Sequence, residues 1–175
     1  MQDKLGIRAT IAGDGPHLKA LYQAAFPAEN LLPLVEHLLA KEPDILSLLA
    51  VIDDQCVGHI LLTKCGVGDR KHCVALLGPL AVAPTWQKRG VGRALIREGF
   101  RRLGQTDLRR VLVLGDPAYY GRFGFLPEHD IVPPFDLPAD WSDAWQSVSV
   151  GDDAERLSGI LRPPAVWLSP SLWAP

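Results

Sequence analysis

A chain of 175 residues that is 47% hydrophobic carries enough apolar material for one domain with a sizeable core, and its composition excludes a disordered protein. A formal net charge of -2 excludes broad electrostatic attraction to nucleic acid, and no apolar run approaches the roughly 20 residues that span a bilayer, so neither nucleic acid nor membrane is expected as a partner. Three cysteines, Cys56, Cys65 and Cys73, are an odd number without metal-type spacing and follow no signal peptide; they read as small buried apolar residues of a reduced, cytoplasmic protein that needs no metal.

Leu5 to Ile11 alternates apolar and polar residues, which predicts a first strand. Asp14 stands as an N-cap before a helix whose Leu18, Leu21, Tyr22 and Ala25 share one face, with Pro16 in its first turn and Pro27 as its stop. A second helix is expected over Glu29 to Lys41, with Leu31, Leu34, Val35, Leu38 and Leu39 on one side and Pro43 beyond it. Ile45 to Ile52 and Cys56 to Thr63 read as strands joined by a hairpin at Asp53-Asp54-Gln55. After a turn over Gly66 to Lys71 comes a third antiparallel neighbour, Cys73 to Val82, ended by Pro84, which supplies no backbone N–H.

From Gly90 onward, Val91, Leu95, Ile96, Phe100 and Leu103 recur at three- and four-residue spacing, while Arg93, Arg97, Glu98, Arg101 and Arg102 take the opposite face, so a helix begins there. A helix start has backbone N–H groups without intrahelical partners and about half a unit of positive charge. Gly90 and Gly92 leave that backbone open, and Lys88, Arg89 and Arg93 add full charges, a cradle suited to a pyrophosphate. The dinucleotide-binding fingerprint is not met, because Leu95 stands where its third glycine would be, and no Gly-Lys-Ser/Thr follows as a P-loop requires. Instead, Gln87-Lys-Arg-Gly90-Val-Gly92 after Leu80-Ala-Val-Ala-Pro84 resembles the acyl-CoA-binding segment of the GNAT superfamily of N-acyltransferases, Gln/Arg-x-x-Gly-x-Gly/Ala after Leu-x-Val-x-Pro.

Arg110 to Gly115 reads as a strand parallel to the one at Val74, reached by a right-handed crossover. In Asp116-Pro-Ala-Tyr-Tyr-Gly-Arg-Phe-Gly-Phe125, a short helix starts near Pro117 under an Asp116 cap and stops at Gly124. This stretch resembles a second GNAT segment, Phe/Tyr-Tyr-x-x-x-Gly-Phe, and the string from Gly115 is similar to the YhbS-like branch of that superfamily. Leu126 to Trp141, with four prolines, is expected to lack regular structure; Ala144 to Val150 alternates like a strand and Asp152 to Leu157 reads as a helical turn. Beyond it, Trp167 and Trp173 read either as a partner surface, with a homodimer as one form, or as a tail folded over the core.

The resemblance implies an α/β (α+β) fold, a mixed, largely antiparallel central sheet flanked by helices, with a splayed strand pair forming the acyl-CoA groove. One domain over residues 1–175 is expected, with core motifs over 73–126 and a Pro-rich segment over 127–175. The implied reaction is attack of a primary amine, on a small molecule or a protein, on the thioester of acetyl-CoA in a ternary complex. Amides from Gln87 to Gly92, among Lys88, Arg89, Val91 and Arg93, would hold the pyrophosphate, and Leu80, Ala81 and Val82 the pantetheine arm. Pro79 marks a place where sheet pairing opens, freeing the N–H of Leu80 or Val82 for an oxyanion. Tyr120 takes the position of the general acid for the thiolate, Tyr119 that of a packing aromatic. The base is open: Ala75, Leu76 and Leu77 stand where many relatives carry a glutamate, and Glu29, His59, His72 and Asp116 are the candidates. Each has a plain structural role beside it: a helix first-turn acid for Glu29, packing for the histidines, a cap for Asp116. The missing glutamate also keeps a second reading, a non-catalytic acyl-CoA-binding or regulatory module.

Overall fold

The structure, a computed structural model, describes residues 4–151 and 156–174 and divides into two compact units, Met1–Leu62 with Gly78–Arg102 and Thr63–Leu77 with Leu103–Pro175.

In the first unit, β1 (Gly6–Ala9) is followed by α1 (Gly15–Ala25), α2 (Leu32–Lys41) and β2 (Ile45–Ile52), and β1 pairs antiparallel with β2, Gly6 opposite Val51 and Ala9 opposite Leu48. Asp14 precedes α1 but does not cap it with its side chain. Its carboxylate is held by both guanidinium Nη atoms of Arg8, at 2.8 Å each, and accepts the Ile11 N–H at 2.7 Å, a stronger charge-assisted arrangement than a neutral cap bond. α2 begins at Leu32, three residues later than the apolar pattern predicts. The reason is Pro33, whose missing N–H is tolerated only in a first turn. Glu29 therefore lies in an exposed connection and is not a first-turn acid.

A two-residue turn joins β2 to β3 (Gln55–Val67), with Asp53 at φ +48° and Asp54 at φ +61°, the paired left-handed residues whose twist matches a hairpin. β3 and β4 (Arg70–Val82) are longer than predicted because their turn shrinks to Gly68-Asp69, and both strands run through the two units. Residues 57–63 of β3 are buried without interruption, the mark of a strand covered on both faces. α3 (Val91–Leu103) buries Val91, Leu95, Ile96 and Leu103, as its periodicity predicts. Small residues let it settle close to β3: a Cβ on Gly58 would lie 2.8 Å from Val91 Cγ1 and 3.2 Å from the Ala81 oxygen, and one on Gly99 2.7 Å from Leu62 Cδ1.

In the second unit, β4 pairs in parallel with β5 (Arg110–Leu114) from Val74↔Arg110 to Leu76↔Leu112, the crossover expected. Asp116 caps α4 (Pro117–Tyr120) through the Ala118 N–H at 2.9 Å, and Gly124, at φ +91°, ends the turn that follows. The proline-rich stretch is not irregular throughout. It contributes β6 (Leu126–Pro127) and β7 (Ile131–Val132), each too short to leave a pattern, and a 3₁₀ helix over Ala139–Ala144. Between the two strands, buried Glu128 accepts the N–H groups of Asp130 and Ile131 at 3.0 and 2.9 Å, a guanidinium N–H of Arg110 at 3.2 Å and the Ser147 hydroxyl, which fixes the segment. β8 (Trp145–Ser149) pairs antiparallel with β5 and β6, and β9 (Gly159–Arg162), which no sequence signal announces, pairs antiparallel with the end of β3 and in parallel with β7. The result is the mixed, largely antiparallel sheet expected. The helical turn predicted over 152–157 falls mostly on residues outside those described.

The tail tryptophans are not an exposed partner surface. Trp173 is buried, donates its indole N–H to the Trp167 carbonyl at 2.8 Å and stands edge-on to Trp145 and Trp167, while Trp167 reaches Thr63 Oγ1 at 3.4 Å. No helix among the described residues is long and apolar enough to cross a membrane.

Candidate active site

The turn into α3 is built from backbone. Pro84–Trp86 forms a 3₁₀ turn, Gln87 Nε2 donates to the Val82 carbonyl at 3.2 Å, and the Arg89 guanidinium lies 5.1 Å from the centre of the Trp86 ring. Lys88 and Gly90 are left-handed, at φ +62° and +86°. The first helical amide with a carbonyl partner is that of Ala94, which donates to Gly90 at 3.0 Å. Among the described residues the amides of 88–93 donate to no backbone or side-chain acceptor. Gln87 to Gly90 and Arg93 are exposed, whereas Val91 and Gly92 are buried and offer only backbone. Consecutive unpaired donors at a helix start, with Lys88, Arg89 and Arg93 in the same run, suit a diphosphate in number and in charge.

Upstream, Leu80 and Val82 are half-buried and Ala81 is buried. The parallel register of β4 with β5 stops at Leu76, three residues before Pro79, although β5 keeps its antiparallel register with β8 as far as Leu114↔Trp145.

The Tyr120 ring is clamped. It stands edge-on to Phe125 at 5.5 Å and to Tyr119 at 5.0 Å, and a Cβ added to Gly115 would fall 2.4 Å from its Cε2. Gly115 is itself pinned, because its N–H donates to the Ala144 carbonyl at 2.9 Å and its own carbonyl accepts from the buried Gln146 side chain at 3.0 Å. Sequence reasoning missed Gly115 and Gln146 as the seat of this ring; a glycine closing a strand just before an aromatic motif was the available signal. The Tyr120 hydroxyl has no hydrogen-bond partner among the described residues, and burial, with Tyr119 beside it, raises its pKa, so it carries its proton throughout the physiological range. Tyr119 instead lies against Arg122 and Phe123.

The four base candidates are not brought together. Glu29 is exposed in a loop, His72 is exposed in β4 at φ +51°, and the Asp116 carboxylate is engaged as a cap. His59 is fully buried, with Nδ1 2.8 Å from the Tyr22 hydroxyl and Nε2 2.7 Å from Ser47 Oγ, which is 2.6 Å from Thr10 Oγ1. Burial lowers its pKa to about 3, so it is a neutral, doubly bonded core residue. From Tyr22 to Ser47 the chain of bonds has one satisfying direction. Tyr22 is buried, and if it only accepted from Nδ1 its own proton would be orphaned at a cost of about 1–3 kcal/mol. Tyr22 therefore donates to Nδ1 and Nε2 to Ser47, while between Ser47 and Thr10 either hydroxyl can donate.

The unfolded chain binds a proton at His59 below its ordinary pKa of about 6.5, and the folded chain only near 3, so this stability is whole above pH 6.5 and is lost as pH falls. Asp14, pulled down to about 2 by Arg8, adds a loss in the same direction below about pH 4. Urea unfolding between pH 7 and 4 is expected to show stability falling by at most about 1.4 kcal/mol per unit for the His59 proton, a slope that His59→Gln removes. An unchanged slope in the variant would show that His59 is charged in the folded protein.

Cys65 is buried and burial pushes its thiol up to about 12; Cys56 and Cys73, half-buried, are also raised, so none has the character of an activated nucleophile.

The model of the acetyltransferase (GNAT) family matches residues 16–125. The uncharacterized N-acetyltransferase YjhQ of Escherichia coli K12 is 32% identical over 160 residues, covering 87% of this chain and 88% of that protein. YhbS of the same strain, also an uncharacterized N-acetyltransferase, is 31% identical over 158 residues, 88% and 91% of the two chains. Among solved structures, Escherichia coli YhbS in complex with CoA superposes with a TM-score of 0.87 at 27% identity over 97% of this chain and 94% of that one. A GNAT family acetyltransferase from Brucella melitensis in complex with acetyl-CoA gives 0.76 at 29% identity over 95% and 99%. With both motifs inside the matched region and the fold shared over nearly its whole length, the chain belongs to the GNAT family of acetyltransferases.

Proposed function

We propose that the protein transfers an acetyl group from acetyl-CoA to a primary amine of a small molecule or protein, by direct attack while both substrates are bound. The observation that carries this reading is the run of unpaired amides over 88–93 behind the strand Leu80-Ala-Val-Ala-Pro84, which fits the diphosphate shared by CoA and acetyl-CoA. The relatives bound to CoA and acetyl-CoA support the same donor.

The amine nitrogen attacks the thioester carbonyl carbon, the C–S bond breaks and the amine releases its proton to water. Tyr120, by its place in the motif and with its hydroxyl unengaged, gives the departing thiolate a proton that solvent replaces. Pantetheine pairs with the backbone of Leu80, Ala81 and Val82, and the N–H of Leu80 or Val82 faces the oxyanion. No side chain is assigned as base. His59, buried and bonded at both ring nitrogens, is not given that role, and an amine of pKa about 10.4 is neutral often enough only if its own pKa falls on binding.

The test is release of CoA thiol from acetyl-CoA across a panel of amino acids, polyamines, aminoglycosides and peptides, alongside calorimetry. Thiol release with at least one amine is expected. Heat of acetyl-CoA binding with no release for any amine would favour the non-catalytic module, and no heat at all would overturn both readings.

A further inference from the structure

The loop that leads into α3 fixes one of its cations without neutralising it. Pro84–Trp86 closes as a 3₁₀ turn in which the Trp86 N–H donates to the Ala83 carbonyl at 2.8 Å, and the Gln87 side chain ties the next residue back to the Val82 carbonyl at 3.2 Å. The left-handed backbone of Lys88 and Gly90, at φ +62° and +86°, brackets Arg89. The Arg89 guanidinium lies over the Trp86 ring, 5.1 Å from its centre; the tryptophan is half-buried and the arginine exposed.

Other arginines of the first unit are held by carboxylates: Arg8 meets Asp14, and Arg101 and Arg102 meet Glu98, at 2.7 to 2.9 Å. Among the described residues no carboxylate meets Arg89. The difference matters chemically. A carboxylate that positions a guanidinium also cancels its charge, whereas the quadrupole of an indole ring positions the cation and leaves its charge and its planar fork of donors available to another anion. An exposed contact of this kind is worth about two- to fivefold in an equilibrium, too little to shape the fold. It does restrict a long side chain, and a guanidinium already in place loses less freedom when an anion arrives.

We infer that Trp86 is a positioning residue for the coenzyme: its ring holds the Arg89 guanidinium so that it pairs with a phosphate of CoA beside the amides of 88–93. The inference rests on the reading of that run as the phosphate cradle, and adds to it a residue that acts through another. The diphosphate and the ribose 3′-phosphate of CoA offer a guanidinium the same chemistry, and dephospho-CoA, which lacks only the latter, separates them.

The experiment is calorimetry of CoA and dephospho-CoA binding to the full chain and to Arg89→Gln, Trp86→Leu, Trp86→Phe and the double variant Trp86→Leu/Arg89→Gln. Arg89→Gln is expected to weaken CoA about three- to tenfold, between the value of an exposed ion pair and that of a charge-assisted hydrogen bond. Trp86→Leu should weaken it about two- to fivefold and Trp86→Phe, which keeps a ring, by less. In the Arg89→Gln background Trp86→Leu should cost nothing further, because the cation it positions is gone. Dephospho-CoA weakened by Arg89→Gln as much as CoA assigns Arg89 to the diphosphate, and dephospho-CoA left unchanged assigns it to the ribose phosphate; either supports the inference. Thermal unfolding checks that each variant folds, and Trp86→Met takes the place of Trp86→Leu if that one does not. CoA affinity unchanged in Arg89→Gln, Trp86→Phe as damaging as Trp86→Leu, or a Trp86→Leu loss equal in both backgrounds would overturn the inference while leaving the cradle standing. No heat with CoA for the wild-type chain would overturn the cradle and this inference together.

Discussion

Replacing Tyr120 by phenylalanine is expected to lower turnover at least tenfold while acetyl-CoA affinity stays within about twofold. The ring contacts with Phe125 and Tyr119 and its seat on Gly115 are all made by carbon atoms that phenylalanine keeps, so the substitution removes the hydroxyl and little else. A positioned general acid is worth about 10²–10⁴ in rate, and tenfold already corresponds to about 1.4 kcal/mol of barrier. With a thiol near pKa 8.5 and a tyrosine near or above 10, the proton moves to the thiolate only when the two are held together, so loss of the donor falls on the chemical step. Steady-state thiol release with calorimetry on the same preparations separates the two quantities. As a second arm, Gly115→Ala keeps the hydroxyl but drives a methyl against the ring, and the same loss of turnover is expected from displacement alone. Unchanged turnover in Tyr120→Phe would remove the residue from the mechanism.

The second large effect is expected at Gly90. Its φ of +86° is one that a β-branched residue adopts only at a cost of about 1–3 kcal/mol, although the space a Cβ would occupy is empty. Gly90→Val should therefore turn the loop toward an ordinary conformation and scatter amides that now stand in sequence before Ala94. Acetyl-CoA and CoA should both bind at least tenfold more weakly, and to the same degree, because the diphosphate is common to them; the unfolding midpoint should fall by only a few degrees. Affinity unchanged by this substitution, measured by calorimetry, would mean that the diphosphate is held elsewhere.

Much of the fold was legible because its determinants are local. The α3 face repeats with the helical period, Pro84 can only end a strand, Asp116 caps the helix it precedes, and Gly124 sits where a left-handed residue is needed. Both motif segments belong to this class, so the amide cradle and Tyr120 could be named before any coordinates. What failed depended on partners distant in the chain or on competition between two local signals. Asp14 looked like a cap and is taken by Arg8; Glu29 looked like a helix start and is overruled by Pro33. β6, β7 and β9 are two to four residues long, too short for a period, and owe their form to strands they pair with rather than to composition.

The amino-acid sequence by itself determined the family, the strand–turn–helix proposed as the coenzyme cradle, and the tyrosine proposed as acid, since each is carried by neighbouring residues whose backbone preferences need no tertiary context. Only the tertiary structure decided that His59 is a neutral core residue at the head of a hydrogen-bonded chain, that Trp167 and Trp173 are interior, and that Gly115 and Gln146 hold the Tyr120 ring. Burial and hydrogen-bond satisfaction are sums over residues brought together from far along the chain, 31 positions apart for Gln146 and Gly115 and 104 for Trp167 and Thr63, and no short window contains them.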